Sequence, residues 1–97
     1  MKKFDLRATK AAIEIPDGRI VLINWSRDDL DANRNVFRLD KNGKMIWQVS
    51  SEHDDDVSGP FATIRYENEK LLASRWIGLL YDINLETGFA VVIAETR

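Results

Sequence analysis

Apolar residues along the chain come in short runs, rich in β-branched and aromatic side chains and cut by turn formers. This is the pattern of strands rather than helices. The runs predict strands at 4–8, 11–15, 19–25, 35–40, 44–49, 61–66, 70–76, 79–84 and 89–95. Pro16-Asp17-Gly18, Lys41-Asn42-Gly43 and Glu86-Thr87-Gly88 read as tight turns between them, since Pro presets φ and Gly or Asn tolerates φ > 0. The fold class that follows is all-β, built from antiparallel hairpins. Ser26 to Arg34 is dominated by polar residues and too short for a core helix. In the strand at 19–25, Val21, Ile23 and Trp25 alternate with Ile20 and Leu22, so both faces are apolar and the strand belongs at the centre of packed layers.

The chain also repeats itself, which bears on the fold before any single motif does. Ile13 to Trp25 aligns without a gap with Ile64 to Trp76 at a constant offset of 51, and both segments end in tryptophan. After an excess of seven residues in the first copy, Val36-Phe37-Arg38-Leu39-Asp40 matches Leu80-Tyr81-Asp82-Ile83-Asn84, and after one more slip Gly43 matches Gly88. Each copy, at 12–49 and 62–95, is expected to form a four-stranded antiparallel meander inside one domain spanning 1–97.

Phe37-Arg38-Leu39-Asp40-Lys41-Asn42-Gly43-Lys44-Met45-Ile46-Trp47 and Tyr81-Asp82-Ile83-Asn84-Leu85-Glu86-Thr87-Gly88 together resemble the quinoprotein (PQQ-like) β-propeller repeat. In that family an aromatic or aliphatic strand leads to Asp, then Thr-Gly, then a Trp four residues beyond the Gly that packs onto the neighbouring blade. Gly43 to Trp47 keeps that spacing, whereas the second copy keeps Thr87-Gly88 but has Asn84 for the Asp and Val92 for the Trp. The resemblance implies propeller-blade-like repeats and carries no quinone cofactor with it. A propeller generally has ~4–8 blades, so two cannot close a ring alone. Either several chains assemble as a homo-oligomer to complete one ring, or the two sheets pack as a sandwich or flattened barrel.

At 97 residues there is room for one ordinary domain. An apolar share of 44% and 31% charged residues exclude disorder. Fourteen basic against sixteen acidic residues leave a net charge of -2, which provides no field for nucleic acid. There is no cysteine, hence no disulfide, thiolate metal site or cysteine nucleophile. No run approaches the ~20 apolar residues of a membrane-spanning helix, and Met1-Lys2-Lys3-Phe4-Asp5 leads into no signal-peptide stretch. The expected location is the cytoplasm.

Meander connections alternate between the ends of a sheet, so the long loops at 26–34 and 50–60 should share one rim, where function concentrates on loops held by a rigid scaffold. That rim gathers Trp25, Arg27, Asp28, Asp29, Asp31, Arg34, Glu52, His53, Asp54, Asp55, Asp56, Arg75 and Trp76. Adjacent carboxylates on an extended chain point apart, and no Asp-x-Asp-x-Asp-Gly loop or His-x-x-x-His pair is present. Glu52 to Asp56 therefore reads as a solvated acidic loop, with no metal expected. Asp40-Lys41-Asn42-Gly43 opens like a calcium loop but lacks the later ligands, and its hairpin position accounts for it. Trp25 and Trp76 either pack in the core or offer indole faces for stacking, while Trp47 reads as core.

His53 is the one near-neutral base, and the serines at 50, 51 and 58 carry no nucleophile-elbow glycines, so no catalytic residue and no cofactor are assigned. The expectation is a non-catalytic interaction module presenting an acidic, Trp-flanked rim to a protein partner with a basic surface. The alternative is a carbohydrate-type small-ligand binder stacking sugars on Trp25 and Trp76.

Overall fold

The computed structural model describes residues 9–23, 34–51, 60–76 and 78–95. The expected strand at 4–8, the end of the strand at 19–25 and the bodies of both long loops lie outside the described residues. Within them the chain is all-β. Nine strands run as β1 (Thr9–Ile15), β2 (Gly18–Ile23), β3 (Val36–Asp40), β4 (Met45–Gln48), β5 (Ser50–Ser51), β6 (Phe61–Glu67), β7 (Lys70–Arg75), β8 (Leu79–Ile83) and β9 (Phe89–Glu95).

They form two sheets. The first is the expected four-stranded antiparallel meander, β1-β2-β3-β4. The second is not purely antiparallel: its order is β5-β9-β8-β7-β6, with β5 added parallel to β9. The chain leaving β4 crosses directly to the far edge of the other sheet, where the Ser50 amide donates to the Gly88 carbonyl at 3.0 Å. Neither sheet closes on itself, so the flattened-barrel alternative does not hold. β1 and β4 end one strand order, and β5 and β6 end the other.

Side-chain alternation sets the layers. β1 is half-buried at every second position, with Ala11, Ile13 and Ile15 turned toward one shared core, and β6 turns Ile64 and Tyr66 the same way. That core fills the space between the sheets with Ile20, Leu22, Val36, Trp47 and Val49 from the first half and Phe61, Leu71, Ala73, Leu79, Tyr81, Ile83 and Ala90 from the second. β2 is apolar on both faces because its odd-numbered side chains have a second destination. Val21 and Ile23 join Phe37 and Leu39 in a smaller cluster on the opposite side of the first sheet.

The two antiparallel ladders share one register. In the first sheet Ile13 pairs with Ile20, Ile20 with Arg38, and Arg38 with Trp47. The same rungs of the second are Arg65 with Leu72, Leu72 with Asp82, and Asp82 with Val91. The hairpin rungs therefore correspond at an offset of 52, one more than the gapless alignment. Both hairpin turns are two residues long: Pro16-Asp17 joins β1 to β2, and Asn68-Glu69, both at positive φ (52° and 64°), joins β6 to β7.

One residue of register exchanges the faces of a strand. The row Ile13, Ile20, Arg38, Trp47 faces the other sheet, while its counterpart Arg65, Leu72, Asp82, Val91 faces away. Conversely, Ile64, Ala73 and Tyr81 face inward, and their counterparts Ala12, Val21 and Phe37 lie on the far side of the first sheet. The front of the first sheet thus rests on the back of the second, in the same sense for both.

Candidate functional site

Ile23 is the last described residue before the first long loop, and Arg34 and Asn35 are the first after it; Ser51 and Pro60 bracket the second. These four ends meet. Asn35, only 2% exposed, donates from Nδ2 to the carbonyls of Ile23 and Phe61, both at 2.9 Å, and accepts from the Phe61 amide at 2.8 Å through Oδ1. Its own carbonyl accepts from the Ile23 amide at 3.0 Å. One side chain therefore closes the base of the first loop and fixes the return of the second, with its amide nitrogen donating twice and its oxygen accepting once. Arg34 adds Nε to the Val49 carbonyl at 2.8 Å, and Gln48 returns Nε2 to the Arg34 carbonyl at 2.9 Å.

β7 ends at this rim with Arg75, and Trp76 follows directly in the turn beyond it, the two sequence-derived site residues differing sharply in exposure. Arg75 points inward and is 2% exposed. Its guanidinium carbon lies 4.2 Å from the Phe61 ring centroid and 5.1 Å from that of Tyr81, and Nη2 donates to the Ser51 hydroxyl at 3.0 Å. The two rings meet edge to face at 5.2 Å. A planar cation stacked on aromatic faces here fastens the start of the second loop, so Arg75 supports the rim from beneath. Trp76 points outward and is 66% exposed. Lys10 of β1 places Nζ 5.3 Å from the indole centroid, and the same ammonium reaches the Ala62 carbonyl at 3.5 Å. Trp25, Arg27, Asp28, Asp29, Asp31, His53, Asp54, Asp55 and Asp56 lie outside the described residues. Asn35 carries no signal in a single sequence, being one polar residue ahead of an apolar strand.

A second constellation lies between the sheets. Trp47, buried as expected, donates from Nε1 to the Leu85 carbonyl at 2.7 Å. Arg38, its ladder partner, sends Nη1 to the same oxygen at 2.7 Å. The indole lies over Gly88 so closely that a Cβ there would sit 2.6 Å from Trp47 Cδ2. The matching turn of the first sheet is uncovered, with nothing within 4 Å of a Cβ built on Gly43. Beside it opens a groove of about 490 Å³ whose lining includes Arg19, Val21, Leu39 and Lys41.

Among the described residues no group of three or more His, Cys, Asp and Glu side chains is placed to hold a metal ion, and no helix is long and apolar enough to cross a membrane. No curated protein and no solved structure matches the chain. A family model does match, over residues 3–93, and the chain belongs to that family, described as a domain of unknown function (DUF7957).

Proposed function

We propose that this protein is a non-catalytic interaction module that grips a protein partner at the rim where its two long loops begin and end, with Trp76 as the anchor. The observation that carries this reading is the 66% exposure of an indole whose immediate neighbour, Arg75, is 2% exposed. A large apolar side chain is offered to solvent directly after a residue buried and stacked on two aromatic rings, and Trp anchors are what protein interfaces concentrate their energy on. The acidic run Asp54, Asp55 and Asp56 belongs to the second loop, so the partner surface that suits this rim is basic around an apolar pocket. A sugar would stack on the same indole, but the Lys10 ammonium at 5.3 Å already attends the ring, and that favours the protein reading.

The finer reading of the fold belongs to the same proposal. The two sheets are successive blade-like units of a duplicated chain, similar to quinoprotein-type propeller repeats, and no cofactor is assigned to them. Support comes from the rung-for-rung correspondence of the ladders and from Trp47, four residues past Gly43, seated on the glycine of the next unit.

The test is capture from a cell extract, identification of the bound protein, and reconstitution with that protein purified. Trp76→Ala is expected to weaken the reconstituted complex about tenfold or more, the scale of an interface hot spot. Joint replacement of Asp54, Asp55 and Asp56 by Asn should weaken it less, with unchanged unfolding midpoints in both variants. Undiminished affinity of Trp76→Ala would remove the anchor. A shift of tryptophan emission with oligosaccharides, lost in Trp76→Ala, would select the carbohydrate reading instead.

A further inference from the structure

The edges of the two sheets are not protected alike. β1 exposes Lys10 and Glu14, β6 exposes Arg65 and Glu67, and β4 is only four residues long. Charged side chains and short length are the means by which edge strands avoid pairing with other chains. β9 has neither over most of its length. β5 pairs with it only at Phe89 and Ala90. From Val91 to Glu95 it therefore has β8 on one side and, among the described residues, no strand on the other. Phe89 to Ala94 contains no charge, proline or glycine. We infer that this open stretch of β9 pairs antiparallel with the same stretch of a second copy, across a two-fold axis at Ile93, joining the two five-stranded sheets edge to edge.

Burial singles out the same stretch. β1 and β6 are half-buried at every second position, whereas all five residues from Val91 to Glu95 are exposed. Four of the seven large apolar side chains exposed among the described residues belong to β9: Phe89 at 41%, Val91 at 46%, Val92 at 38% and Ile93 at 52%. Apolar exposure gathered on one strand, rather than scattered, marks a contact surface. Ile93, the most exposed of the four, is also the residue that the register shift between Leu80 and Tyr81 leaves opposite no residue of β8.

The shape of the gap selects a second copy. It is five residues long, closed at one end by Ser51 opposite Ala90 and at the other by the end of β9. A longer strand would run onto β5, whereas a two-fold copy brings a stretch of equal length, bounded in the same way. Antiparallel pairing centred on Ile93 sets Ile93 against Ile93, Val92 against Ala94 and Val91 against Glu95 of the second copy. Apolar side chains meet at the three central rungs. The two Glu95 carboxylates stand at opposite ends of the ladder, so no like charges are opposed. Such an isologous contact closes at two copies, covering an edge that would otherwise template aggregation.

A five-residue ladder is small beside the ~1,200–2,000 Å² of a stable interface. Light scattering on the intact chain during size exclusion should therefore give a mass that rises with concentration from one chain to two and stops there. In the unaltered chain, exchange of the amide hydrogens between Val91 and Glu95 should slow as the dimer fills. Ile93→Lys and Ile93→Glu, at a position exposed enough to tolerate either side chain, each set like charges across the axis. Each should weaken dimerisation about tenfold or more, with an unchanged far-UV spectrum. An equimolar mixture of the two variants should restore the dimer, because opposite charges then meet at the axis. A single-chain mass at every concentration overturns the inference and leaves the Trp76 reading standing. Growth beyond two chains, amide exchange that ignores concentration, a dimer indifferent to both variants, or a mixture that fails to recover it overturns the inference as well.

Discussion

In the first sheet the Asp40 Oδ1 accepts from the amides of Asn42 and Lys44, and in the second the Asn84 Oδ1 accepts from those of Glu86 and Thr87. Each turn then carries a glycine at positive φ, Gly43 at 83° and Gly88 at 79°. The backbone solution is common to both. What differs is the load: Gly88 lies under the Trp47 indole and Gly43 under nothing. Two turns of the same local chemistry thus separate what a sequence dictates locally from what a neighbour imposes. The Asx side chain and the glycine answer the chain's need to reverse direction. The absence of a Cβ at Gly88 also answers the need of another sheet to come close.

The largest effect should come from removing the load itself. Trp47→Ala deletes a buried indole, its bond to Leu85 and the cover over Gly88. It is expected to cost about 3–5 kcal/mol in urea unfolding, as for other buried Trp truncations. The ladder counterpart on the free front, Val91, is 46% exposed, and Val91→Ala should change stability by less than about 0.5 kcal/mol, in line with surface positions. Similar losses at the two sites would mean that the sheets are not joined through Trp47.

A finer contrast is available at the glycines. Gly43→Ala faces only the left-handed backbone penalty, about 1–2 kcal/mol. Gly88→Ala carries the same penalty and also drives a methyl to 2.6 Å from the indole, which adds about 1–3 kcal/mol of overpacking. Equal costs would show that the indole yields freely and that the joint is loose.

Much of this arrangement was legible in the chain before any coordinates. Turn formers delimited the strands to within one or two residues, because Gly43, Gly88 and Asp17 stand where the direction changes. Trp47, which reads as core from the sequence, is buried and reaches the other sheet. Three features were not legible, each for a physical reason. β5 is two serines, without apolar alternation, and becomes a strand only because β9 offers it an edge. Asn35 acts through bonds to Phe61, 26 residues away, and no local pattern encodes a contact of that range. The offset of 51 aligned Ile13 with Ile64 and Ile20 with Leu71, residues that all face the shared core, and so it followed burial. The ladder, which fixes topology, runs one residue further. Of the rim, Trp76 could be read from its strand-end position as either core or exposed, and the structure exposes it. The burial of Arg75 depended on Phe61 and Tyr81, whose proximity to it is set by tertiary packing.

The smallest effect tests the comparison of the two ladders at one rung. Phe37 and Tyr81 occupy matching positions, opposite Val21 and Ala73 respectively. Phe37 lies in the small cluster behind the first sheet, and Tyr81 lies in the shared core with no exposure. The Tyr81 hydroxyl is buried and has no hydrogen-bond partner among the described residues. A buried hydroxyl without a partner gains nothing from folding and loses its hydration, whereas the ring earns its place against Phe61 and Arg75. Tyr81→Phe makes the two rungs alike and keeps the ring contacts. Stability should be unchanged or higher by up to about 1 kcal/mol, since the relieved desolvation is offset in part by the small void left behind. A loss of more than about 1 kcal/mol would mean that the hydroxyl holds a hydrogen bond in solution, and that the second ladder uses at this rung a polar tie for which the first, with Phe37, has no equivalent.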